Sequence, residues 1–215
     1  MALIHIAYSF DAKLFNYKLQ SEVAKNNILD LRKMHQIAVD AVKNMDGSTK
    51  KALLYLRYDD DWIDTTDEEV SHSHQWYLLA LTKYFTPVTS LSHRIPNSYS
   101  MLSKILPMIG WNEEEVKLII TGNPLSTLVA DSHNALFTSE FSAGIDQYGG
   151  WLSLEKITIL LDKLERGKLE LQTIMDQGSE RLIIDDKVLV AYNNALEMLN
   201  LSYNRGHSLF LLLDY

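Results

Sequence analysis

Apolar residues recur every three or four positions along most of the chain, which is the spacing of one helix face. The clearest such stripe, in a helix predicted over 185–204, consists of Val188, Tyr192, Leu196, Leu199 and Tyr203. Similar patterns predict helices near 12–26, 66–85, 98–109, 112–121 and 153–176. With the weaker stretches included, we expect about seven to nine helices.

Two of the predicted helix starts carry the same local signal. Asn112 can act as an N-cap with Glu115 as its capping-box partner, while Trp111 packs against Val116 as a hydrophobic staple. Ser153 occupies the equivalent place before the helix at 153–176. A ligand-binding repeat is the alternative explanation for these similar segments. Capping explains them better, because two copies fall short of the three or more units that repeat folds need.

Both ends of the sequence are short, apolar and uncharged, at Ala2–Tyr8 and Ser208–Leu213. A strand fits such a length as well as a helix does, and a lone strand would leave its edge unpaired. We therefore expect the two segments to pair. The predicted fold class is mainly α: a compact multi-helix domain with a minor two-stranded sheet formed by the chain termini.

One stretch interrupts the helical pattern. Residues 86–97 have no apolar period and contain two of the four prolines, which is typical of a surface connection. We predict a single domain over 1–215, in which lobes 1–85 and 98–215 are joined by the connection 86–97.

Composition narrows the class of protein. A chain of 215 residues, 47% of them apolar, is long enough to bury its own core. The absence of Cys excludes disulfides, thiolate metal sites and cysteine nucleophiles. A net charge of −8 disfavours a nucleic-acid partner. Without a long apolar run or a signal-peptide pattern, we expect no membrane association and a cytoplasmic location.

The sequence lacks the common phosphate-binding and catalytic motifs. It contains no Gly-x-Gly pair and no match to the P-loop, the HExxH zinc motif or the GxSxG nucleophile motif. We therefore predict no cofactor and no metal, and we assign no catalytic residue.

Negative charge is concentrated in one segment. Between Arg57 and Lys83 there is no Lys or Arg, while the net charge of the whole chain is −8. The acidic residues in this interval are Asp59, Asp60, Asp61, Asp64, Asp67, Glu68 and Glu69. A solvated surface is the simplest interpretation, because three of the acids fall in the first turn of the helix predicted at 66–85, where the helix dipole favours anions.

A docking face for a basic protein partner is the second interpretation. Clustered carboxylates accelerate the association of a cationic partner, and a neighbouring tryptophan can anchor the contact. The binding residues predicted for this face are Asp59, Asp60, Asp61, Trp62, Asp64 and His72.

A metal-dependent hydrolase site is the third interpretation. Glu69 and His72 match the Glu-x-x-His pair of di-iron helical bundles, but the second pair that such bundles need is missing. The sequence thus favours a non-enzymatic, protein-binding function for the acidic face around residues 58–76. A metal-dependent hydrolase using a carboxylate/His site there, and a helical domain that binds an apolar small ligand, are the alternatives. The oligomeric state is left open.

Overall fold

The computed structural model describes residues 4–26, 78–79, 81–91, 98–129, 149–176 and 186–214. The elements in chain order are β1 (Ile4–Phe10), α1 (Ala12–Asn26), β2 (Val88–Leu91), α2 (Ser98–Ile105), a 3₁₀ turn (Leu106–Ile109), α3 (Glu113–Thr121), β3 (Asn123–Pro124), α4 (Leu125–Val129), β4 (Gly149–Leu152), α5 (Leu154–Asp176), α6 (Asp186–Asn204) and β5 (Ser208–Asp214). Residues 78, 79 and 81–85 are also helical. None of the helices in these ranges combines the length and the apolar character needed to cross a bilayer.

The five strands form one sheet in the order β2-β1-β5-β4-β3. The prediction of a mainly α fold with a minor two-stranded sheet is therefore wrong, and the fold is α+β. The two end segments, β1 and β5, are hydrogen-bonded neighbours, but β1 also pairs with β2, and β5 also pairs with β4. This arrangement places β5 at the centre of the sheet.

The apolar character of β1 and β5 follows from their position in the sheet. Every side chain from Ile6 to Phe10 and from Ser208 to Leu212 is buried. A strand covered on both faces has a continuous apolar run instead of the alternating pattern of a half-exposed strand. The sequence showed this run at both ends of the chain.

The other three strands had no such signal. β2 lies inside the stretch 86–97 that was predicted as a connection. β3 and β4 pair antiparallel, with Asn123 opposite Trp151 and Pro124 opposite Gly150. Glycine and proline are depleted in strands, so these short segments form strands because of their partners and not because of their own propensity.

Side chains cap the starts of α1 and α5. The Asp11 carboxylate accepts the backbone N–H of Leu14 at 2.9 Å, and α1 ends at Asn26, as its apolar pattern predicted. At the start of α5, the Ser153 hydroxyl accepts the backbone N–H of Lys156 at 3.3 Å. Ser153 is the cap predicted from the sequence, and both helices begin within a residue of their predicted starts.

The capping box of α3 is confirmed in full. The Asn112 side chain accepts the backbone N–H of Glu115 at 2.9 Å, and the Glu115 carboxylate accepts the backbone N–H of Asn112 at 2.9 Å. Trp111, just before the cap, is only 4% exposed, as the predicted staple requires. Of the helix predicted at 66–85, the structure describes only residues 78, 79 and 81–85.

The chain divides into two compact units. The first comprises Met1–Ser9, Ser90–Gly122 and Leu152–Tyr215. In its core, α3, α5 and α6 contact β5, and α5 packs along α6. The predicted division into lobes 1–85 and 98–215 stays a prediction.

The second unit comprises Phe10–Thr89 and Asn123–Trp151. Its described part contains a small aromatic core. The Phe15 ring meets Phe10 and Phe85 edge-on, with centroid distances of 6.3 and 6.2 Å. Such edge-to-face pairs add to the free energy gained by burying the rings. α1 supplies Phe15 and also contacts α4.

We predict that deletion of residues 207–215 abolishes the native state. The deletion removes β5 and leaves the backbone groups of β1 and β4 without their central partner. Near-UV circular dichroism should be lost, and the protein should become insoluble or bind a hydrophobic dye. Deletion of Tyr215 alone is the matched control, because β5 ends at Asp214. A soluble truncated protein with the native melting temperature would contradict the central role of β5.

Candidate functional site

An open groove of about 530 Å³ runs beside α5 in the first unit. One face of α5 forms one wall, and the end of the 3₁₀ turn together with the first turn of α3 forms the other. The lining residues are Ile109, Gly110, Glu115, Ile159, Asp162, Lys163, Arg166, Gly167 and Glu170. The α5 residues among them each have another lining residue three or four positions away, so they share one side of the helix.

Gly110 shapes the end of this wall. Its φ of +78° lies in the left-handed region, which favours glycine. The Gly110 N–H donates to the carbonyl of Pro107 at 3.3 Å, and the Trp111 N–H donates to that of Leu106 at 3.1 Å. This tight turn ends the 3₁₀ helix, directs Trp111 into the core and allows α3 to begin directly afterwards.

Lys163 links the two walls. Its ammonium lies 2.5 Å from the Glu115 carboxylate and 5.2 Å from the centre of the Trp111 ring. The cation therefore has an ion-pair partner and an aromatic face, and both contacts are favourable. The Trp111 indole nitrogen is buried without a hydrogen-bond partner. These contacts hold the start of α3 against the middle of α5.

The electrostatics of Glu115 follow from the same contacts. The hydrogen bond from Lys163 is the main cause that lowers the pKa of Glu115 below its usual value, and the hydrogen bond from the Asn112 backbone adds to it. Both bonds favour the ionised carboxylate. Glu115 therefore stays charged throughout the neutral pH range.

A second ion pair lies on the outer side of the groove. Arg166 donates to the Asp162 carboxylate one helical turn earlier, and both side chains are largely exposed. Exposed pairs of this kind contribute little to stability. The pair places a positive and a negative side chain on the exposed surface of α5.

Gly167 allows α5 to pack closely against Ile109 and Tyr192. A Cβ atom at Gly167 would lie 2.7 Å from the Ile109 Cδ1 and 3.1 Å from the Tyr192 hydroxyl oxygen. That hydroxyl donates to the backbone carbonyl of Leu164 at 2.5 Å. Burial, with smaller effects from two nearby glutamates, raises the pKa of the Tyr192 phenol. Tyr192 therefore acts as a neutral hydrogen-bond donor that joins α6 to α5.

The groove is suited to binding more than to proton transfer. Four of its charged side chains neutralise each other in two ion pairs, beside apolar contact area from Ile109 and Ile159. Within the described residues, no three His, Asp or Glu side chains converge in a way that could hold a metal ion. Apolar patches flanked by charge are typical of surfaces that contact other proteins.

All binding residues predicted from the sequence lie outside the described residues. They are Asp59, Asp60, Asp61, Trp62, Asp64 and His72. The prediction for the acidic face therefore stays a prediction. No pattern in the sequence predicts the groove. Glu115 and Lys163 are 48 positions apart, so no local spacing could have indicated their contact.

A second polar contact joins distant parts of the chain. The Ser9 hydroxyl lies 3.2 Å from the Nδ1 atom of His207, across 198 positions of sequence. Ser9 is fully buried, so no substrate can reach its hydroxyl in this conformation. The contact connects β1 to the turn that precedes β5.

Comparison with known proteins finds no matching family model, no similar curated protein and no similar solved structure.

We predict that Lys163→Met raises the pKa of Glu115, because it removes the main cause of the lowering. A carboxyl with a lowered folded-state pKa stabilises the fold above its unfolded-state pKa, and this stabilisation is lost as pH falls through the folded-state value. The variant should lose at most about 1 kcal/mol of unfolding free energy at pH 7. The difference in unfolding free energy between the variant and the wild type should become smaller under acidic conditions.

Urea unfolding at several pH values, with a carboxyl NMR titration, measures this effect. Lys168→Met is the matched control, because Lys168 is an exposed lysine on the same helix. A stability difference that does not change with pH would contradict the Glu115–Lys163 coupling.

We also predict that Gly167→Ala destabilises the protein by about 1 kcal/mol. Alanine normally gains about 0.5–1 kcal/mol over glycine inside a helix. Here the added methyl group would clash with Ile109, and overpacking costs about 1–3 kcal/mol. Combining it with Ile109→Val, which removes the nearest atom, should cost less than the sum of the two single changes. Thermal unfolding of the four proteins tests this; additive losses would exclude the clash.

Proposed function

We propose that this protein is a non-enzymatic, protein-binding protein whose acidic face around residues 58–76 docks a basic partner. The observation that carries the proposal is the distribution of charge. Seven carboxylates and no Lys or Arg lie between Arg57 and Lys83, so nearly all of the net charge of −8 belongs to one short segment.

Such a segment can direct the approach of a partner. A local excess of one sign of charge attracts a partner of the opposite sign and raises the association rate, most strongly at low salt. Crowded carboxylates also repel one another, which raises their pKa values. A basic partner reduces this repulsion, and the reduction makes the free energy of binding more favourable.

Two aromatic residues give this segment the means to form a close contact. Trp62 follows three consecutive aspartates, and Trp76 lies farther along the same base-free interval. Tryptophan is enriched among the interface residues that contribute most to affinity, whereas charged residues at the rim mainly govern rate and specificity. In the proposed complex, Trp62 makes the apolar contact and the aspartates surround it.

The proposal includes a cytoplasmic location and a protein as the partner. A chain without Cys fits a reducing compartment. The negative charge that attracts a basic protein also repels the phosphates of nucleic acids.

We predict that Asp60→Asn combined with Asp61→Asn weakens binding of a lysine-rich synthetic peptide about tenfold at low salt while leaving the fold intact. Glu113→Gln combined with Glu114→Gln is the matched control. It changes the net charge equally, in the exposed first turn of α3, and should change affinity little. Fluorescence anisotropy at low and physiological salt measures the affinities. Equal losses in both double variants would mean that only the net charge matters, and would contradict a local docking face.

A melting experiment separates this proposal from the hydrolase alternative. A cation held at a specific site at a hundredfold excess over its dissociation constant would add about 2.7 kcal/mol of stability. We expect no large, cation-specific rise with Mg²⁺, Mn²⁺, Ca²⁺ or Zn²⁺ relative to EDTA. A rise of many degrees that His72→Ala abolishes would instead support the metal-dependent hydrolase.

A further inference from the structure

The outer face of α5 carries an exposed stripe with the spacing of a coiled-coil seam. Ile159 and Leu169 are 53% and 75% exposed, so both large apolar side chains are available for contact with another molecule. Between them lie Asp162 and Arg166, whose side chains are 64% and 73% exposed. Steps of three, four and three residues keep all four side chains within about 80° of the helix surface.

The stripe is self-complementary about the position of Leu164. Ile159 and Leu169 are each five positions from Leu164, and Asp162 and Arg166 are each two positions from it. A second α5 laid antiparallel over the stripe would therefore place an apolar residue beside an apolar residue and an acid beside a base. This self-complementarity is what a twofold symmetric interface requires.

We propose that two copies of this chain associate by antiparallel packing of α5 against α5. In this dimer, Ile159 packs beside the partner's Leu169, and Asp162 pairs with the partner's Arg166. In heptad terms, Ile159 and Arg166 occupy a positions and Asp162 and Leu169 occupy d positions, so each pair joins an a residue to a d residue. The dimer goes beyond the proposed acidic docking face and does not rest on it.

The ion pair within each copy is compatible with ion pairing across the interface. Asp162 and Arg166 already bind each other within one helix. A carboxylate has two oxygens and a guanidinium has five N–H donors, so each group can bind a partner in its own helix and one in the other. The four groups then form a closed network at the twofold axis, and the apolar pairs flank it on both sides.

The interface is small, and like charges at its edges oppose association. α5 has 23 residues, so it is about 34 Å long, and one helix pair buries an area at the low end of specific interfaces. At one edge of the interface, Glu165 would lie near the partner's Glu165. At the opposite edge, Lys163 would lie near the partner's Lys163, although Glu115 neutralises each of these lysines. A weak, concentration-dependent dimer is the expected result.

Sedimentation velocity of the full chain, from about 5 to 500 µM, tests the dimer. Arg166→Glu should weaken association at least about tenfold, because it places like charges together at the twofold axis. Exchanging both charges, Asp162→Arg with Arg166→Asp, preserves complementarity and should restore it. Arg205→Glu, at an exposed position after α6, is the control and should leave association unchanged. A protein that is monomeric at every concentration, or an exchanged variant that stays dissociated, overturns the proposal.

Cross-linking tests the orientation, and the absence of natural Cys removes any background. In an oxidised mixture of Ile159→Cys and Leu169→Cys chains, the antiparallel dimer should yield mainly the mixed disulfide. Val190→Cys, at a position on α6 that is 50% exposed, is the control and should cross-link little. Preferential bridging between two Ile159→Cys chains would indicate parallel packing and overturn the proposal.

Discussion

Backbone hydrogen bonding of β5 to β1 on one side and to β4 on the other is the constraint on which the sheet depends. The strand also contacts α3, α5 and α6, so these three helices of the first unit pack against the same strand. Its side chains from Leu209 to Leu212 are all buried. Each contributes about 1.5–3 kcal/mol by leaving water, and a central strand gains this on both of its faces.

Local signals predicted α1, α3, α5, α6 and the two end strands well. α1, α3, α5 and α6 begin and end within a residue or two of their predicted bounds, because capping side chains and apolar stripes are properties of the local sequence. β2, β3 and β4 were not predictable in this way. They are two to four residues long, two of them contain glycine or proline, and each exists because a partner strand from elsewhere in the chain satisfies its backbone.

The groove beside α5 has the same dependence on distant partners. The ion pair of Asp162 and Arg166 is visible in the sequence, because its two residues are one helical turn apart. The contact of Lys163 with Trp111 and Glu115 is not visible, since it requires the 3₁₀ turn and Gly110 to bring α3 against α5. The exposed stripe on α5 could have been found from its heptad spacing. Its exposure, which separates a contact surface from a core face, becomes evident only in the folded chain.

The placement of β5 beside β1 has a consequence for synthesis on the ribosome. Ser9 and His207, which touch in the folded protein, are 198 positions apart in sequence. At about 5–20 residues per second, β1 leaves the ribosome roughly 10–40 s before β5 exists. During that interval the edge of β1 that pairs with β5 has no partner, and its backbone and apolar side chains are available to other nascent chains. Production in a cell should therefore respond to the supply of chaperones that shield extended apolar segments, more than production of a protein whose first strand is completed by a nearby hairpin.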